Sequence, residues 1–268
     1  MTPQTTKIKL MQGILGLNFA SLIKGARIDK NALIRSAVNS FFAVTPFQAK
    51  DQIKLEENFV QIPLITLDQI LGTNKVRTLL NVQSYEDGML PSYEAMVLLS
   101  ILISKNPKEV LEIGTFMGHT TKAMAENLPT AIIHTIDLPL DYKKENDHIV
   151  LPKDDFHLIH RRKVGREFRN TGLATQIKQH YCDTAITDFS TIGNPTFFFI
   201  DGSHTYAYCK QDSEKCYNLC QGAGTFLWHD CNLSHPGVIH FILEWRKLGR
   251  DIKRIEGTTI AYWSNSPK

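Results

Sequence analysis

The sequence has almost no excess of charge, since 30 lysines and arginines are offset by 27 aspartates and glutamates, for a formal net charge of +3. So weak a positive balance gives no electrostatic reason to expect a nucleic acid as a partner. The chain is also poor in cysteine, with five in 268 residues and no C-x-x-C pair. An odd number without such pairs argues against a disulfide framework and favours a reducing, cytoplasmic setting.

Apolar runs long enough to span a bilayer are missing as well. The run LMQGILGLNFASLI near the N-terminus is too short to cross a membrane, and no A-x-A cleavage site follows it. We therefore expect no stable membrane insertion. An amphipathic helix that docks on the domain, or on a second copy to form a homo-oligomer, is the favoured interpretation, and a peripheral membrane contact is the alternative.

From residue 86 onward the sequence alternates between strand-like and helix-like segments. KEVLEIG, AIIHTID, TQIKQHYCD, TFFFID and GTFLWHD are typical of strands, and YEAMVLLSILI, TTKAMAENL and YAYCKQDSEKCYNLC are typical of helices. Such alternation predicts an α/β fold with a mostly parallel sheet and helices on both faces. Residues 1–85 are predicted to form an N-terminal, mainly helical or irregular region, and residues 86–268 the main domain.

Each predicted strand ends in a residue that suits a ligand site. Gly114, Asp137, Asp183 and Asp201 follow four of the strands, and His229 with Asp230 follows a fifth. One acidic residue after a strand commonly caps the next helix. Several along one edge of a parallel sheet indicate a cleft instead, because ligands bind beyond the carboxyl ends of such strands.

The first of these turns lacks the pattern G-x-G-x-x-G, by which dinucleotide-binding proteins hold a pyrophosphate. Residues 112–118, EIGTFMG, have the form E-x-G-x-x-x-G, with Phe116 and Met117 inside the turn. Bulky residues at this point suit a ligand without phosphates, and S-adenosylmethionine is the leading candidate. Asp137, at the end of the next strand, is placed to accept hydrogen bonds from ribose hydroxyls.

Taken together, these segments resemble the class I S-adenosylmethionine-dependent methyltransferases, in the group with an IDGSH-type fourth strand. The resemblance rests on VLEIGTFMGHTTKAMAEN, VGREFRN, YCDTAITDF, FFFIDGSHTYAYCKQDSEK, FLWHD, PGVIHFI and GTTIAYW, in that order. It covers roughly residues 86–263 and implies a Rossmann-like sheet of seven strands whose last strand, TTIAYW, is antiparallel. It is specific for fold and cofactor and says little about the substrate.

The resemblance also implies roles for individual residues around the cofactor. Glu112, Gly114, Thr115 and Gly118 would shape the methionine end of the pocket. Asp137 would hold the ribose hydroxyls, and Asp183 with Thr184 would lie near the adenine ring, with a helix cap as the alternative for Asp183.

At the reacting end, Asp201, His204 and His229 are the predicted catalytic residues. Related O-methyltransferases of catechols and macrolide sugars hold a divalent metal at these strand ends, which implies Asp201, His229 and Asp230 as ligands here. His229 stands where those relatives carry a carboxylate, which weakens the case for magnesium and favours a metal that accepts imidazole, such as manganese. A metal-free version, with His229 or His204 as general base, stays equally open.

The connection from Asp137 to Gly172 is long enough to be a lid over the site. Its basic residues favour either a solvated helix face or the binding of an anionic acceptor; they are His160, Arg161, Arg162, Lys163, Arg166 and Arg169. The sequence as a whole predicts methyl transfer to a small-molecule acceptor, with a hydroxyl of a sugar or other specialised metabolite as the expected target. A nicotinamide-dependent oxidoreductase and a non-catalytic cofactor-binding protein are the rival hypotheses.

Overall fold

The computed structural model describes residues 46–81, 88–139, 141–142, 163–173 and 175–265. Compactness divides the chain into two units, Met1–Glu56 and Glu57–Lys268. The boundary predicted at residue 86 stays a prediction, and the apolar N-terminal run with its expected oligomer contact lies outside the described residues. Within the described ranges, no helix is both long enough and apolar enough to cross a membrane.

The described residues form six α-helices and eight strands. The helices are α1 (Pro46–Val60), α2 (Leu67–Leu71), α3 (Ser92–Lys105), α4 (His119–Asn127), α5 (Tyr206–Leu219) and α6 (Pro236–Lys247). The strands are β1 (Leu64–Ile65), β2 (Glu109–Ile113), β3 (Ile132–Asp137), β4 (Ile177–Tyr181), β5 (Phe197–Ile200), β6 (Thr225–Trp228), β7 (Lys253–Ile255) and β8 (Ala261–Ser264).

All eight of these strands join one sheet, in the order β1-β7-β8-β6-β5-β2-β3-β4. β8 runs antiparallel to β6 and β7, and the other pairings are parallel. The predicted Rossmann-like architecture with an antiparallel strand from TTIAYW is confirmed. The strand count is eight rather than seven, because β1, from a stretch predicted as helical or irregular, pairs with β7 at the edge.

β5 is apolar at every position because both of its faces are covered. Phe197 and Phe199 face a core that includes the apolar side chains of α3 and α4. On the opposite face, Phe198 stacks on Phe226 with 4.5 Å between ring centroids, and aromatic residues of α6 pack against the neighbouring strand. This two-sided burial explains why FFFI lacks the alternation of a half-exposed strand.

Helix α3 is almost entirely apolar, and its residues from Val97 to Leu102 are buried. Pro91 occupies the N-cap position of this helix and forms no side-chain cap. Within this apolar helix, Glu94 is charged and yet only 5% exposed. A buried carboxylate requires a partner, which Glu94 finds at the carboxyl edge of the sheet.

The order in which successive strands are added to the sheet changes direction at β2. β3 and β4 lie on one side of β2, and β5 and β6 lie on the other. At such a switch point the connections after the two adjacent strands lead to helices on opposite faces of the sheet, and a crevice opens beyond the carboxyl ends of the strands. The residues predicted for the functional site belong to this edge.

Candidate functional site

A cavity of about 490 Å³ lies in this crevice. That volume is within the range of roughly 300–1,000 Å³ found for small-molecule sites. Among its lining residues are Gly114, Thr115, Gly118, Asp137, Asp201, His204, His229 and Asp230. Eight of the predicted site residues therefore line one cavity.

Gly114 lets the loop after β2 touch the loop after β5. Its φ is +103°, and a Cβ atom at this position would lie 2.0 Å from the carbonyl oxygen of Asp201. The amide of Asp201 also donates a hydrogen bond to the carbonyl of Ile113, at 2.8 Å. No side chain fits between these backbones, so a glycine is required here for a steric reason.

Asp137 is held in a fixed orientation at the wall of the cavity. Its Oδ2 accepts a hydrogen bond from the amide of Phe116 at 2.8 Å, and its Oδ1 accepts one from the amide of Leu138 at 2.7 Å. Phe116 adopts a positive φ of 47°. Residues other than glycine adopt this backbone conformation rarely, and functional sites often contain it. A carboxylate can accept several hydrogen bonds, so a side chain of this type suits ligand hydroxyls as well as these amides.

Glu112 lies beneath the glycine turn and is not among the residues that line the cavity. It is fully buried and accepts hydrogen bonds from Thr121 and from Thr135, the latter at 2.6 Å. Burial, together with the nearby charges of Asp201 and Asp137, raises the pKa of Glu112 to about 8 despite the threonine hydrogen bonds. Glu112 thus supports the turn from below, and its predicted contact with the cofactor stays a prediction.

Asp183 lies outside the cavity lining, although it follows β4 as expected. Its carboxylate accepts hydrogen bonds from the hydroxyls of Tyr142 and Tyr208, at 2.7 and 3.3 Å, and from the amide of Ala185 at 2.8 Å. The adjacent Thr184 lines the cavity instead. These contacts favour a structural role for Asp183, close to the capping alternative.

Two carboxylates are hydrogen-bonded to His229, one at each ring nitrogen. Its Nδ1 donates to Oδ1 of Asp201 at 2.9 Å, and its Nε2 donates to Oε2 of Glu94 at 2.8 Å. The other oxygen of Glu94 accepts the backbone N–H of Thr259, which holds the glutamate in place. Three distant parts of the chain therefore meet at this imidazole.

A second group of side chains surrounds Asp230. Oδ2 of Asp230 lies 2.8 Å from Nε2 of His204 and 3.4 Å from Nδ1 of His229, and Oδ1 lies 3.4 Å from Nδ1 of His235. The rings of His204 and His235 are in contact, with 4.2 Å between their centroids. The predicted residues Asp201, His204, His229 and Asp230 thus converge as expected for neighbouring parallel strands.

The charges in this network stabilise one another. Burial alone would lower the pKa of His229, but the carboxylates of Asp201, Asp230 and Glu94 raise it far above its usual range. Burial would raise the pKa of Asp230, but its contacts with His204 and His229 hold it far below the usual range. Since an imidazolium has no free lone pair, His229 in this state is a proton donor, and the geometry does not favour it as a general base.

Glu94 and His235 are site residues that were missed at the sequence level. Glu94 lies in the first turn of the apolar helix α3, before the first central strand of the sheet. A charged residue at the start of a segment that is otherwise apolar is the sequence feature that could have identified it. His235 stands just before Pro236, the first residue of α6, which makes it look like an ordinary loop residue. Only the packing of the elements brings both side chains to the cavity.

The basic residues of the predicted lid do not reach the cavity where the structure describes them. Arg166 donates to Glu167 at 2.7 Å, and Arg169 donates to the hydroxyl of Tyr181. Neither these residues nor Lys163 line the cavity. His160, Arg161 and Arg162 lie outside the described residues, so the lid and its anionic ligand stay predictions.

Solved structures of similar fold include several named methyltransferases. A methyltransferase from Podospora anserina, PaMTH1, bound to S-adenosylhomocysteine, is 15% identical, with 66% of this chain and 81% of that chain covered and a TM-score of 0.47. The O-methyltransferase TomG from Streptomyces achromogenes is 15% identical, covering 66% and 80%, with a TM-score of 0.46. The O-methyltransferase NovP is 16% identical, covering 65% and 79%, with a TM-score of 0.47.

Residues 111–231 match a family model described as a methyltransferase domain. The matched segment begins in β2 and ends just after Asp230, so it contains the glycine turn, Asp137, Asp201 and His229. These are the elements that build the cavity described above. Residues 111–231 therefore match the methyltransferase domain family, and this match supports a class I S-adenosylmethionine-dependent methyltransferase.

Proposed function

We propose that this methyltransferase transfers the methyl group to a hydroxyl oxygen of a small-molecule acceptor. One observation carries the proposal: a single cavity has Asp137 on one side and the polar group of Asp201, His204, His229 and Asp230 on the other. The first side suits the cofactor's ribose. The second offers carboxylates and imidazoles, which orient a hydroxyl and deal with its proton.

The residues on the cofactor side fit S-adenosylmethionine. Gly114 and Gly118 have no side chains, so a ligand can approach the backbone of the turn after β2. The amides at the start of α4 border the same space. Asp137 presents fixed carboxylate oxygens to a diol. When bound, the cofactor supplies a methyl group on a positively charged sulfonium, which reacts by in-line displacement and so depends on alignment.

His204 is the candidate general base in a metal-free version of the reaction. Asp230 lies 2.8 Å from its Nε2 and orients the ring, as a carboxylate does for a catalytic histidine. His229, as an imidazolium, donates to Asp201 and holds its carboxylate in a fixed position. In this version Asp201 accepts a hydrogen bond from the acceptor hydroxyl, and His204 removes the proton as the oxygen attacks.

In the metal-assisted version, Asp201, His229 and Asp230 are the predicted ligands. One ligand atom from each lies within 4.8 Å of the others, so the three can surround one ion once Nδ1 of His229 has lost its proton. Two carboxylates with an imidazole suit manganese better than magnesium. An ion here would lower the pKa of the acceptor hydroxyl and orient it.

The test is methyl transfer from isotope-labelled S-adenosylmethionine to a panel of sugars, phenols and other hydroxylated metabolites, analysed by mass spectrometry. We expect a product methylated on oxygen, and Asp201→Asn should lose most turnover while S-adenosylhomocysteine still raises the Tm. Loss of activity with EDTA and its recovery with one divalent ion would support the metal-assisted version. Methylation only of nitrogen or carbon acceptors, or full activity of Asp201→Asn, would contradict the proposal.

A further inference from the structure

Two groups of potential metal ligands share Asp230. The Asp201 cluster consists of Asp201, His229 and Asp230, and the His204 cluster consists of His204, Asp230 and His235. In each cluster, the three ligand atoms lie within 4.8 Å of one another. The resemblance to known methyltransferases points only to the first cluster, so the second requires an explanation of its own.

Hydrogen bonds already occupy both ring nitrogens of His229. Glu94 accepts from Nε2 at 2.8 Å, and Asp201 accepts from Nδ1 at 2.9 Å. An ion in the Asp201 cluster would have to displace the contact between Nδ1 and Asp201. An ion in the His204 cluster would replace the contact between Nε2 of His204 and Asp230. This cluster brings two imidazoles to one carboxylate, because Nε2 of His204 and Nδ1 of His235 both lie against Asp230.

The two histidines of the His204 cluster are brought together by backbone packing. Gly237, in the first turn of α6, lies so close to the loop after β5 that a Cβ atom would be 2.4 Å from the carbonyl oxygen of His204 and 2.5 Å from the amide of Tyr206. Only a glycine permits this approach. It places His235, two residues earlier, against the ring of His204.

The distances in the His204 cluster match those between ligands of one ion. Two donors that are each about 2.1 Å from a metal are separated by roughly 3.0 Å at a right angle and roughly 3.4 Å at the tetrahedral angle. Oδ2 of Asp230 lies 2.8 Å from Nε2 of His204, and Oδ1 of Asp230 lies 3.4 Å from Nδ1 of His235. Asp230 itself holds a positive φ of 55°, a strained conformation that functional sites often retain.

We propose that His204, Asp230 and His235 bind a first-row transition-metal dication at the wall of the cavity. Two imidazoles and one carboxylate are a donor set for zinc, iron, cobalt or manganese, and a poor one for magnesium or calcium. All three side chains are partly exposed to the cavity, which leaves coordination positions for water or an acceptor oxygen. With an ion bound, His204 is a ligand and is no longer available as a base.

Cobalt chloride, titrated into the purified full-length chain, provides the test, because Co²⁺ bound by imidazole and carboxylate shows d–d absorption bands that report its ligands. We expect saturation at one ion per chain, competition by zinc chloride, and Kd values at least about tenfold weaker in both His204→Ala and His235→Ala. His240→Ala removes an exposed imidazole from the same helix, α6, and should bind as the unmodified chain does.

Asp201→Asn separates the two clusters, since Asp201 belongs only to the first. Cobalt binding that survives Asp201→Asn with unchanged bands supports the His204 cluster. Loss of binding in Asp201→Asn, with or without loss in His235→Ala, would overturn the proposal, as would the absence of saturable binding. Circular dichroism melting of each variant shows whether it is folded, and the two histidine variants test the same site independently.

Discussion

Glu94 and His229 are 135 residues apart in sequence, and in the structure Oε2 of Glu94 accepts a hydrogen bond from Nε2 of His229 at 2.8 Å. The glutamate comes from helix α3, before the first central strand, and the histidine follows β6. Burial raises the pKa of Glu94, but the hydrogen bonds from His229 and Thr259 outweigh this effect and leave the pKa below its usual value. The pair therefore carries opposite charges at neutral pH and ties α3 to the carboxyl edge of the sheet.

Glu94→Gln removes the charge but keeps the shape of the side chain. We expect the pKa of His229 to fall and the free energy of unfolding to drop by roughly 1–3 kcal/mol, the cost of losing a charge-assisted hydrogen bond at a buried site. Nitrogen-15 NMR of the imidazole and urea denaturation measure these two effects. Glu126→Gln, which removes a surface ion pair with Lys122 on α4, is the control and should change stability by less than about 1 kcal/mol. An unchanged titration of His229 in Glu94→Gln would contradict the assignment.

Gly114→Ala tests the contact between the loops after β2 and β5. The new Cβ would collide with the carbonyl of Asp201, so we expect a loss of roughly 3 kcal/mol or more in unfolding free energy and impaired binding of S-adenosylhomocysteine. Gly72→Ala is a matched control, because Gly72 also has a positive φ, of 61°, but a Cβ added there would meet no atom within 4 Å. Its cost should be smaller than that of Gly114→Ala, because backbone strain acts at Gly72 without a collision. Equal losses in both variants would show that strain in φ, and not the collision, decides the effect.

Asp137→Ala tests the cofactor side of the cavity. We expect the affinity for S-adenosylhomocysteine to fall by roughly 1.5–3 kcal/mol, or about 10- to 150-fold, as for a hydrogen bond to a charged group. Isothermal titration calorimetry measures this directly. Asp188→Ala is the control, since Asp188 caps a short turn outside the cavity and accepts from the amide of Ser190 at 2.9 Å. If Asp137→Ala is folded and binds with unchanged affinity, Asp137 does not hold the ribose.

The raised pKa of Glu112 predicts that the free energy of unfolding falls as the pH rises. Its folded-state pKa of about 8 lies above the value of 4.5 expected in the unfolded chain, so the unfolded state releases its proton first. The resulting stabilisation is complete below pH 4.5 and is lost progressively up to about pH 8. Asp212, with a pKa raised to about 7 mainly by burial, acts in the same direction.

Urea denaturation at a series of pH values measures this slope. Glu112→Gln cannot ionise, so its unfolding free energy should fall less between pH 5 and about pH 8 than that of the unmodified chain. The part contributed by Asp212 should persist in Glu112→Gln and disappear in Asp212→Asn. A slope that is the same in Glu112→Gln as in the unmodified chain would show that Glu112 does not titrate as proposed.

Local sequence patterns were enough to predict the class of fold and eight of the residues that line the cavity. Continuous apolar runs such as FFFI predict strands buried on both faces, and the alternation with helices predicts a parallel sheet. Since parallel strands present their carboxyl ends at one edge, the residues after them, Asp137, Asp201 and Asp230 among them, had to lie near one another. These inferences need only local patterns and one rule of topology, and the structure confirms the architecture they predict.

Which polar side chains meet at the cavity depends on tertiary packing. Glu112 in β2 is hydrogen-bonded to threonines, Asp183 after β4 is hydrogen-bonded to tyrosines, and neither residue lines the cavity. Glu94 and His235 reach the site only because α3 packs beside the sheet and Gly237 lets α6 approach the loop after β5. Strands as short as β1 escape detection for a related reason, since pairing with β7 stabilises two residues that have no pattern of their own. Contacts between distant segments depend on how the elements pack in three dimensions, and no periodicity along the chain encodes that packing.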